Sequence, residues 1–549
     1  MSAPQPPDTA PLPQTWDDEA DVVVVGFGGA GACAAIQAAE DGSEVRVIDR
    51  FTGGGATAIS GGVFYGGGGT KIQEEAGVED TVEDMFRYLE FEVGKAVSEG
   101  TLRKFCEESV GNADWLQAHG VPFHASLCPV KTSYPSNDYY LYYSGNESFS
   151  PFRDHAKPAA RGHRAVGPGL PGANFYDPLK QAAVAAGAVP IYQSKVQRLV
   201  VDDGKVVGVE ISQVKPGFAA VRHRLLAWLA IKINPYQPKI AKNLRKHLAR
   251  IERNSSITKY IRALKGVVLA AGGFIYNRDM VQHHAPNYRP GMPLGATGCD
   301  GSGILLGVSA GGTTDRMDQV SAWRFINPPE AMVKGVFVDR EGKRYANERL
   351  YGAQLGRAMV DDHRGEGLLV IDQNVWDEAR AQCKGSTGIH WFQQAPALIN
   401  LYKNRKVGGS IAELAKNARI DPDGLAATVA DYNSYADGTA ADPFDKGAEF
   451  TQALTKAPFY AINCSLDSRG FPCPTLTLGG LVVAEENGAV VGADNQQIPG
   501  LYAAGRNAVG ICSNGYVSGL SLADCVFSGR RAGACAGGKA SEAAGASAA

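Results

Sequence analysis

The stretch Ala20-Asp-Val-Val-Val-Val-Gly26-Phe-Gly28-Gly-Ala-Gly31 opens the folded part of this chain. It reads as a strand, a Gly-x-Gly-x-x-Gly turn and the start of an alanine-rich helix. Glu44-Val-Arg-Val-Ile-Asp49 then reads as a second strand, whose terminal acid follows the turn by about twenty residues, the spacing of a dinucleotide-binding unit. Each glycine has a physical task. Gly26 makes the tight turn, Gly28 lets backbone N–H groups approach a pyrophosphate at a helix N-terminus, and Gly31 lets helix and strand pack closely. Asp49 is then placed to accept from a ribose hydroxyl. The turn therefore predicts an α/β, Rossmann-like core.

The rest of the chain is consistent with a large globular protein. It has 549 residues, 44% of them hydrophobic, and a net charge of −3, enough for two or more joined domains. Ten cysteines are scattered without a Cys-x-x-Cys pair or a His cluster at zinc spacing, which predicts a reducing cytoplasm and no metal. Met1 to Gln14 is proline-rich and lacks the apolar core of a signal peptide, so residues 1–18 read as a disordered arm. Ala532 to Ala549 reads as a last helix that frays.

Beyond Asp49, the glycine-dense Thr52 to Gly62 and Tyr65 to Gly69 require backbone to run close against something flat or charged. Helical patterns follow at Val82 to Val93 and Glu99 to His119. The aromatic run Tyr134, Tyr139, Tyr140, Tyr142 and Tyr143 reads either as a half-buried hairpin or as the lining of an apolar pocket. Val189 to Val214 reads as strands with Asp202-Asp-Gly204 as a hairpin turn. Gly266 to Gly273 is a buried strand that returns to the nucleotide fold, and Gly500 to Arg506 is another. The expected organisation is a discontinuous nucleotide-binding domain over 19–214, 266–310 and 456–549, with an inserted α+β substrate domain over 311–455.

Taken together, the Gly26 turn with Asp49, Ser60-Gly-Gly62, Ala270-Ala-Gly-Gly273, Thr297-Gly-Cys-Asp300-Gly301, Gly342 to Glu348 and Gly500 to Gly505 resemble the fumarate reductase and succinate dehydrogenase flavoprotein superfamily. The resemblance implies FAD. Around the phosphates and ribose it implies Gly26, Gly28, Ala30, Gly31, Asp49 and Arg50, with Ala271, Gly272 and Asp300 opposite. Along the rest of the cofactor it implies Ala56, Thr57, Ser60, Gly61 and Gly62. From the closing segment it implies Gly505, Arg506, Gly519, Ser521 and Leu522. Gly55 stands where covalent members carry a histidine, so the FAD is expected to be non-covalent. No second dinucleotide turn supports NAD as the oxidant.

Dicarboxylate members of the superfamily place an arginine where this chain has Gly352, and glycine can neither clamp a carboxylate nor donate a proton. Instead, Asn347-Glu-Arg-Leu-Tyr351 and Gly515-Tyr516-Val-Ser518-Gly519 look like the 3-ketosteroid dehydrogenases, and Tyr-x-Ser-Gly is closer to the Δ4 group than to the Δ1 group. Gly61 to Thr70, Arg161-Gly-His163 and Thr477 to Leu481 look like the Δ4 group too. The implied substrate is a 3-ketosteroid; the electron acceptor stays open. Desaturation beside a ketone needs a base for the α-hydrogen and a flavin N5 for the β-hydrogen as hydride. Tyr351 is the expected base and Tyr516 and Ser518 its hydrogen-bonded partners, although the sequence does not order the three. Backbone N–H groups near Gly519 are expected to polarise the ketone or hold a flavin carbonyl. His163 and Asp318 are weaker candidates, with capping of a loop as the alternative, and for Glu147 and Glu348 the alternative to chemistry is bracing of loops. The alternatives are a Δ1 enzyme, a reductase working in reverse, a dicarboxylate enzyme using Arg357, and a lipid-docked flavoprotein without turnover.

Residues 215–265 hold thirteen Lys or Arg against the single acid Glu252. They read as a basic amphipathic insertion, with Ile240, Leu244, Leu248 and Ile251 on one helical face and Ile257, Tyr260, Ile261 and Leu264 extending an apolar stripe. Phe218 to Ile231 is too short to span a bilayer of about 30 Å. The expected partner is an anionic membrane surface at the inner face of the cell membrane; nothing else in the chain supports nucleic acid.

Overall fold

Five parallel strands build the core sheet. β1 (Asp18–Val25) lies between β2 (Val45–Ile48) and a later strand, β6 (Ser256–Leu269). β3 (Val189–Ile191) extends the sheet beyond β2, and β8 (Gln497–Ala503) lies beyond β6. Val22, Val24, Val45, Val47 and Val268 are fully buried, as expected for strands covered on both faces. β4 (Ser194–Asp202) and β5 (Lys205–Val214) form the expected hairpin, with Asp203 at φ 46° and Gly204 at φ 74°. β5 then pairs antiparallel with the first half of β6, and β7 (Ala489–Val491) closes the edge beside β8. The computed structural model describes residues 4–234, 237–384 and 388–539.

Helix α1 (Gly29–Glu40) starts at the turn as read from the sequence. Gly26 has φ 101°, and a Cβ there would lie 2.6 Å from the Ala270 carbonyl oxygen; a Cβ on Gly31 would lie 1.9 Å from the Gly26 carbonyl oxygen. Both positions thus admit only glycine without moving backbone.

Three boundaries differ from the sequence reading. Part of the expected disordered arm is ordered: Ala10 is buried and donates to the Leu199 carbonyl at 2.8 Å, because it lies alongside β4. Residues 256–265, read as part of the basic insertion, are the first half of β6. Ile261 and Ala263 face inward while Arg262 and Leu264 face out; the same residues also fit a helical spacing, which hid the period of two. Strand Phe459–Asn463, placed by sequence in the nucleotide domain, pairs with Leu368–Ile371 and Arg405–Gly408 in the substrate domain's sheet.

The insertion proper is a pair of helices, α2 (Phe218–Ile233) and α3 (Pro238–Asn254), mounted on the β5–β6 hairpin, where Lys215 N–H meets the Ser255 carbonyl at 2.8 Å. Ala241, Leu248 and Ile251 are buried, and Leu244 and Leu248 pack with Ala227 and Ala230 of α2. The apolar face of α3 is therefore turned into the protein. Among the described residues, no helix is long and apolar enough to cross a membrane.

Helix α4 (Gly352–Asp361) belongs to the substrate domain, and α5 (Leu520–Ala536) closes the nucleotide domain against α1. Gly529 and Gly533 allow that approach, since Cβ atoms there would lie within 2.6 Å of the Ala30 and Ala34 carbonyls. Of the expected frayed end, residues 540–549 lie outside those described.

Candidate flavin and steroid site

A cavity of about 680 Å³ opens at the N-terminus of α1. Gly26, Gly28, Ala30, Asp49, Arg50, Ala56, Thr57, Ala271, Gly272 and Arg506 all line it, as expected from the sequence. The Gly29 N–H donates to Thr57 Oγ1 at 3.1 Å, which ties the glycine loop to the first turn of α1. Asp49 accepts from the N–H groups of Phe27, Phe51 and Gly53, so it fixes both loops around the cavity and also faces it. Arg506 has no carboxylate partner among the described residues; its guanidinium lies 3.8 Å from Cys299 Sγ. An unpaired guanidinium, the N-terminus of α1 and a glycine-lined passage suit a pyrophosphate.

The other expected cofactor residues do not line this cavity. Gly31 lies behind the turn against Gly26, and Gly505 N–H donates to Ser528 Oγ at 2.9 Å. Asp300 does not line the cavity. It pairs with Arg50 at 2.7 Å and accepts from Ser302 N–H, because Arg50 reaches across to it. Ser60 Oγ donates to Thr57 O at 2.8 Å and accepts from Gly62 N–H, while Gly61 O accepts from the Tyr134 hydroxyl at 2.9 Å. Gly519, at φ 95°, caps α5, whose first turn carries Ser521 and Leu522. Tyr65 N–H bonds Gly519 O at 3.2 Å, which brings the Ser60–Gly62 loop to the start of α5.

The candidate catalytic residues converge at this same end. Tyr351 precedes α4, and its N–H donates to Asn146 Oδ1 at 2.7 Å. Tyr516 and Ser518 lie on the loop entering α5. Ser518 Oγ is 3.0 Å from the Tyr142 hydroxyl, and the Ser518 hydroxyl also favours ionisation of the neighbouring Tyr351 phenol. Tyr516 instead packs on Trp323 with ring centroids 5.2 Å apart, and its hydroxyl has no hydrogen-bond partner among the described residues. The expected partnership of Tyr516 with Ser518 is thus replaced by Tyr142. Tyr142 belongs to the aromatic run, which the structure resolves into loop and one short strand, Leu141–Tyr142, paired with Gly162–Arg164. Its density of phenols was the available signal. Lys131, which the sequence did not single out, sets its ammonium 5.3 Å from the Tyr351 ring centroid.

Burial pushes the Tyr351 phenol well above its ordinary pKa, the nearby Tyr516 and Tyr142 add to this, and the Ser518 hydrogen bond opposes it. The remaining candidates are braces. His163 is fully buried between Thr70 Oγ1 and the Arg161 carbonyl, and burial lowers its pKa to about 4. Glu147 accepts from Tyr65 and Gly145, and Glu348 is held by Arg344 and Lys446. Asp318 is exposed beside Gln319. A Cβ at Gly352 would lie 2.3 Å from the Phe325 ring, so an arginine does not fit there. Arg357 is committed to the Asn514 carbonyl at 3.0 Å and to Asp361 at 3.6 Å.

The FAD binding domain family matches residues 21–519. A 3-oxo-5-alpha-steroid 4-dehydrogenase of Comamonas testosteroni is 41% identical over 500 residues, covering 89% of this chain and 93% of the relative. The chain belongs to the FAD-binding 3-ketosteroid dehydrogenase family. As a member of that family it is an FAD-dependent oxidoreductase acting on CH–CH groups. The 3-ketosteroid Δ4-(5α)-dehydrogenase of Rhodococcus jostii RHA1, solved with 4-androstene-3,17-dione, superposes with a TM-score of 0.81 at 32% identity, covering 97% of this chain and 99% of that one. A 3-ketosteroid Δ1-dehydrogenase of Sterolibacterium denitrificans, at a TM-score of 0.67 and 17% identity over 95% of this chain and 99% of that one, shares the fold.

Tyr142 yields a direct test of the hydroxyl chain. Tyr142→Phe is expected to lower kcat about tenfold, the loss of one buried hydrogen bond, with FAD content unchanged. Unaltered turnover in stopped-flow assays would remove Tyr142 from the relay.

Proposed function

We propose that this protein introduces a double bond at C4–C5 of a saturated-ring 3-ketosteroid, as the relatives' names describe for them. The observation that carries this is the cluster of the Tyr351, Ser518 and Tyr142 hydroxyls, with Ser518 bonded to Tyr142, beside an aromatic wall of Trp323, Phe325 and Tyr516, at a position where Gly352 excludes the arginine of a dicarboxylate enzyme. An aromatic wall suits a flat, apolar ring system. Bound FAD supplies the acceptor for a hydride.

The chain's own residues handle the proton. Tyr351 in its phenolate form takes the proton acidified by the ketone, the Ser518 and Tyr142 hydroxyls share the phenolate charge beforehand, and the phenol formed returns its proton to solvent before the next turnover. Tyr516, whose hydroxyl is not spent on the protein, meets the substrate. The N–H groups at the start of α5 polarise the ketone or hold a flavin carbonyl. Anaerobic mixing with saturated 3-ketosteroids and with their 4-ene forms tests this reading. Flavin bleaching with loss of two hydrogens at C4–C5 is expected; bleaching only with the 4-ene assigns another ring position, and no bleaching removes the steroid.

A membrane dock through the insertion is proposed in a form the helix faces allow. The apolar face of α3 is spent on α2, but Lys239, Lys242, Lys246, Arg250 and Arg253 recur at helical spacing and are exposed. Each basic residue near an anionic surface contributes about 1 kcal/mol. Arg245 is not part of this face, because it donates to Asn234 at 3.1 Å and lies over the Tyr276 ring. The variant Lys242→Glu/Lys246→Glu/Arg250→Glu is expected to stop pelleting with phosphatidylglycerol vesicles at low salt while turnover in solution is kept. Unchanged pelleting sinks the dock.

A further inference from the structure

Helix α2 of the insertion carries an apolar stripe that the protein leaves uncovered. Val221, Leu225 and Trp228 are 63%, 54% and 55% exposed. With Ile231 they recur at spacings of four, three and three, so they share one face. That face does not look away from the molecule: Val221, Arg224, Leu225, Trp228 and Ile231 all line the cavity that begins at α1. They share it with Arg50 and Phe51, which follow Asp49 in the chain, and with Lys195 and Val196.

The order of groups in a dinucleotide fixes what belongs there. A pyrophosphate on the α1 N-terminus and a ribose at Asp49 leave the adenine base at the far side of Asp49. The helix pair is also clamped at this place. Arg50 makes a bidentate pair with Glu252 of α3, at 2.8 and 2.9 Å, and Glu252 in turn meets His223 Nε2 of α2 at 3.2 Å. Gln193 donates to the Ala220 carbonyl at 2.8 Å, and the Phe51 and His223 rings stack with centroids 5.7 Å apart. Burial of Glu252 opposes its ionisation, but the hydrogen bonds from His223 and Arg50 prevail and hold its pKa at about 2. The clamp therefore stays charged at any working pH.

We infer that the two-helix insertion is a wall of the adenosine half of the FAD site, with Val221, Leu225 and Trp228 of α2 covering the base and Arg50–Glu252 holding the wall in place. The inference rests on FAD as the cofactor, and it gives α2 and α3 separate tasks: the α2 stripe faces cofactor, and the basic face of α3 points outward. Arg224, which has no ion-pair partner among the described residues, adds a cation on the cavity side.

The test is titration of the full-length apoprotein with FAD, and separately with FMN, which lacks the adenosine half. Trp228→Ala and Leu225→Ser are each expected to weaken FAD about tenfold, the scale of losing one aromatic or apolar face from a base. FMN affinity is expected to stay within twofold of the wild type, which also shows that the variants fold. Trp228→Phe keeps an aromatic face and should retain FAD affinity. FAD, but not FMN, should quench a tryptophan emission component that Trp228→Phe lacks. Wild-type FAD affinity in both Trp228→Ala and Leu225→Ser overturns the wall, and loss of vesicle pelleting in those variants without a change in FAD affinity assigns the stripe to lipid instead.

Discussion

Tyr351→Phe is expected to lower kcat about a thousandfold, within the range for removal of a general base, while the protein stays yellow. Three features of the structure set that size. The phenol is buried, so water cannot take over as base; its hydroxyl is the end of the chain through Ser518 to Tyr142; and its backbone is fixed by Asn146 at the start of α4. Removing one oxygen leaves the ring packed against Phe325, so cofactor content and thermal stability should change little. The active form of a base is the deprotonated one, and burial raises the pKa of this phenol. Wild-type kcat should therefore climb with pH from about 7 towards the phenol range near 10, rather than level off at neutrality. The Phe variant should lose that slope. If Tyr351→Phe keeps turnover and Tyr516→Phe abolishes it, the proton goes to Tyr516 and Tyr351 acts only through Ser518.

Gly31→Val should have an effect of comparable size on the cofactor. A Cβ at this position would lie 1.9 Å from the Gly26 carbonyl oxygen, which is backbone of the phosphate turn and has no rotamer to change. Helix α1 must then lift from β1, and the N–H groups at its start move away from the pyrophosphate. Overpacking of this kind, against main chain, costs more than about 4 kcal/mol, so the variant should be recovered flavin-free or aggregated. Flavin absorbance per protein and the melting temperature read this directly. Gly111→Ala is the control. It sits inside helix Ser109–Ala118 with no atom within 4 Å of the added Cβ, and the change should stabilise by about 0.5–1 kcal/mol. A yellow, folded Gly31→Val protein would show that the turn can be rebuilt.

Much of the site could be read locally. Ten of the cofactor positions expected from motifs face the cavity, because their role depends on backbone approach at a turn, a property of short spacing. Arg50 lines the cavity and Asp300 does not, and their pairing, which spans 250 positions, was not legible. Tyr142 was visible only as one phenol among five. Which of these meets Ser518 depends on a strand of two residues paired to Gly162–Arg164, and no local pattern encodes that partner.

The insertion marks the same division most clearly. Its charge and the amphipathic period of α3 follow from composition and spacing alone, since those are properties of one chain segment. Whether an apolar face meets lipid, cofactor or a second helix is a property of what stands opposite it. Leu248 and Ile251 read as a membrane-facing stripe and are buried, whereas Val221 and Trp228, interrupted by Arg222 and Arg224, face the cavity. By itself the sequence determined the α/β core, the FAD turn and the steroid dehydrogenase motifs, because each rests on residues close together in the chain. Only the tertiary structure decided the members of the hydroxyl chain, the first half of β6 and the direction of the α2 stripe, because hydrogen-bond partners and buried faces are set by contacts between residues far apart in sequence.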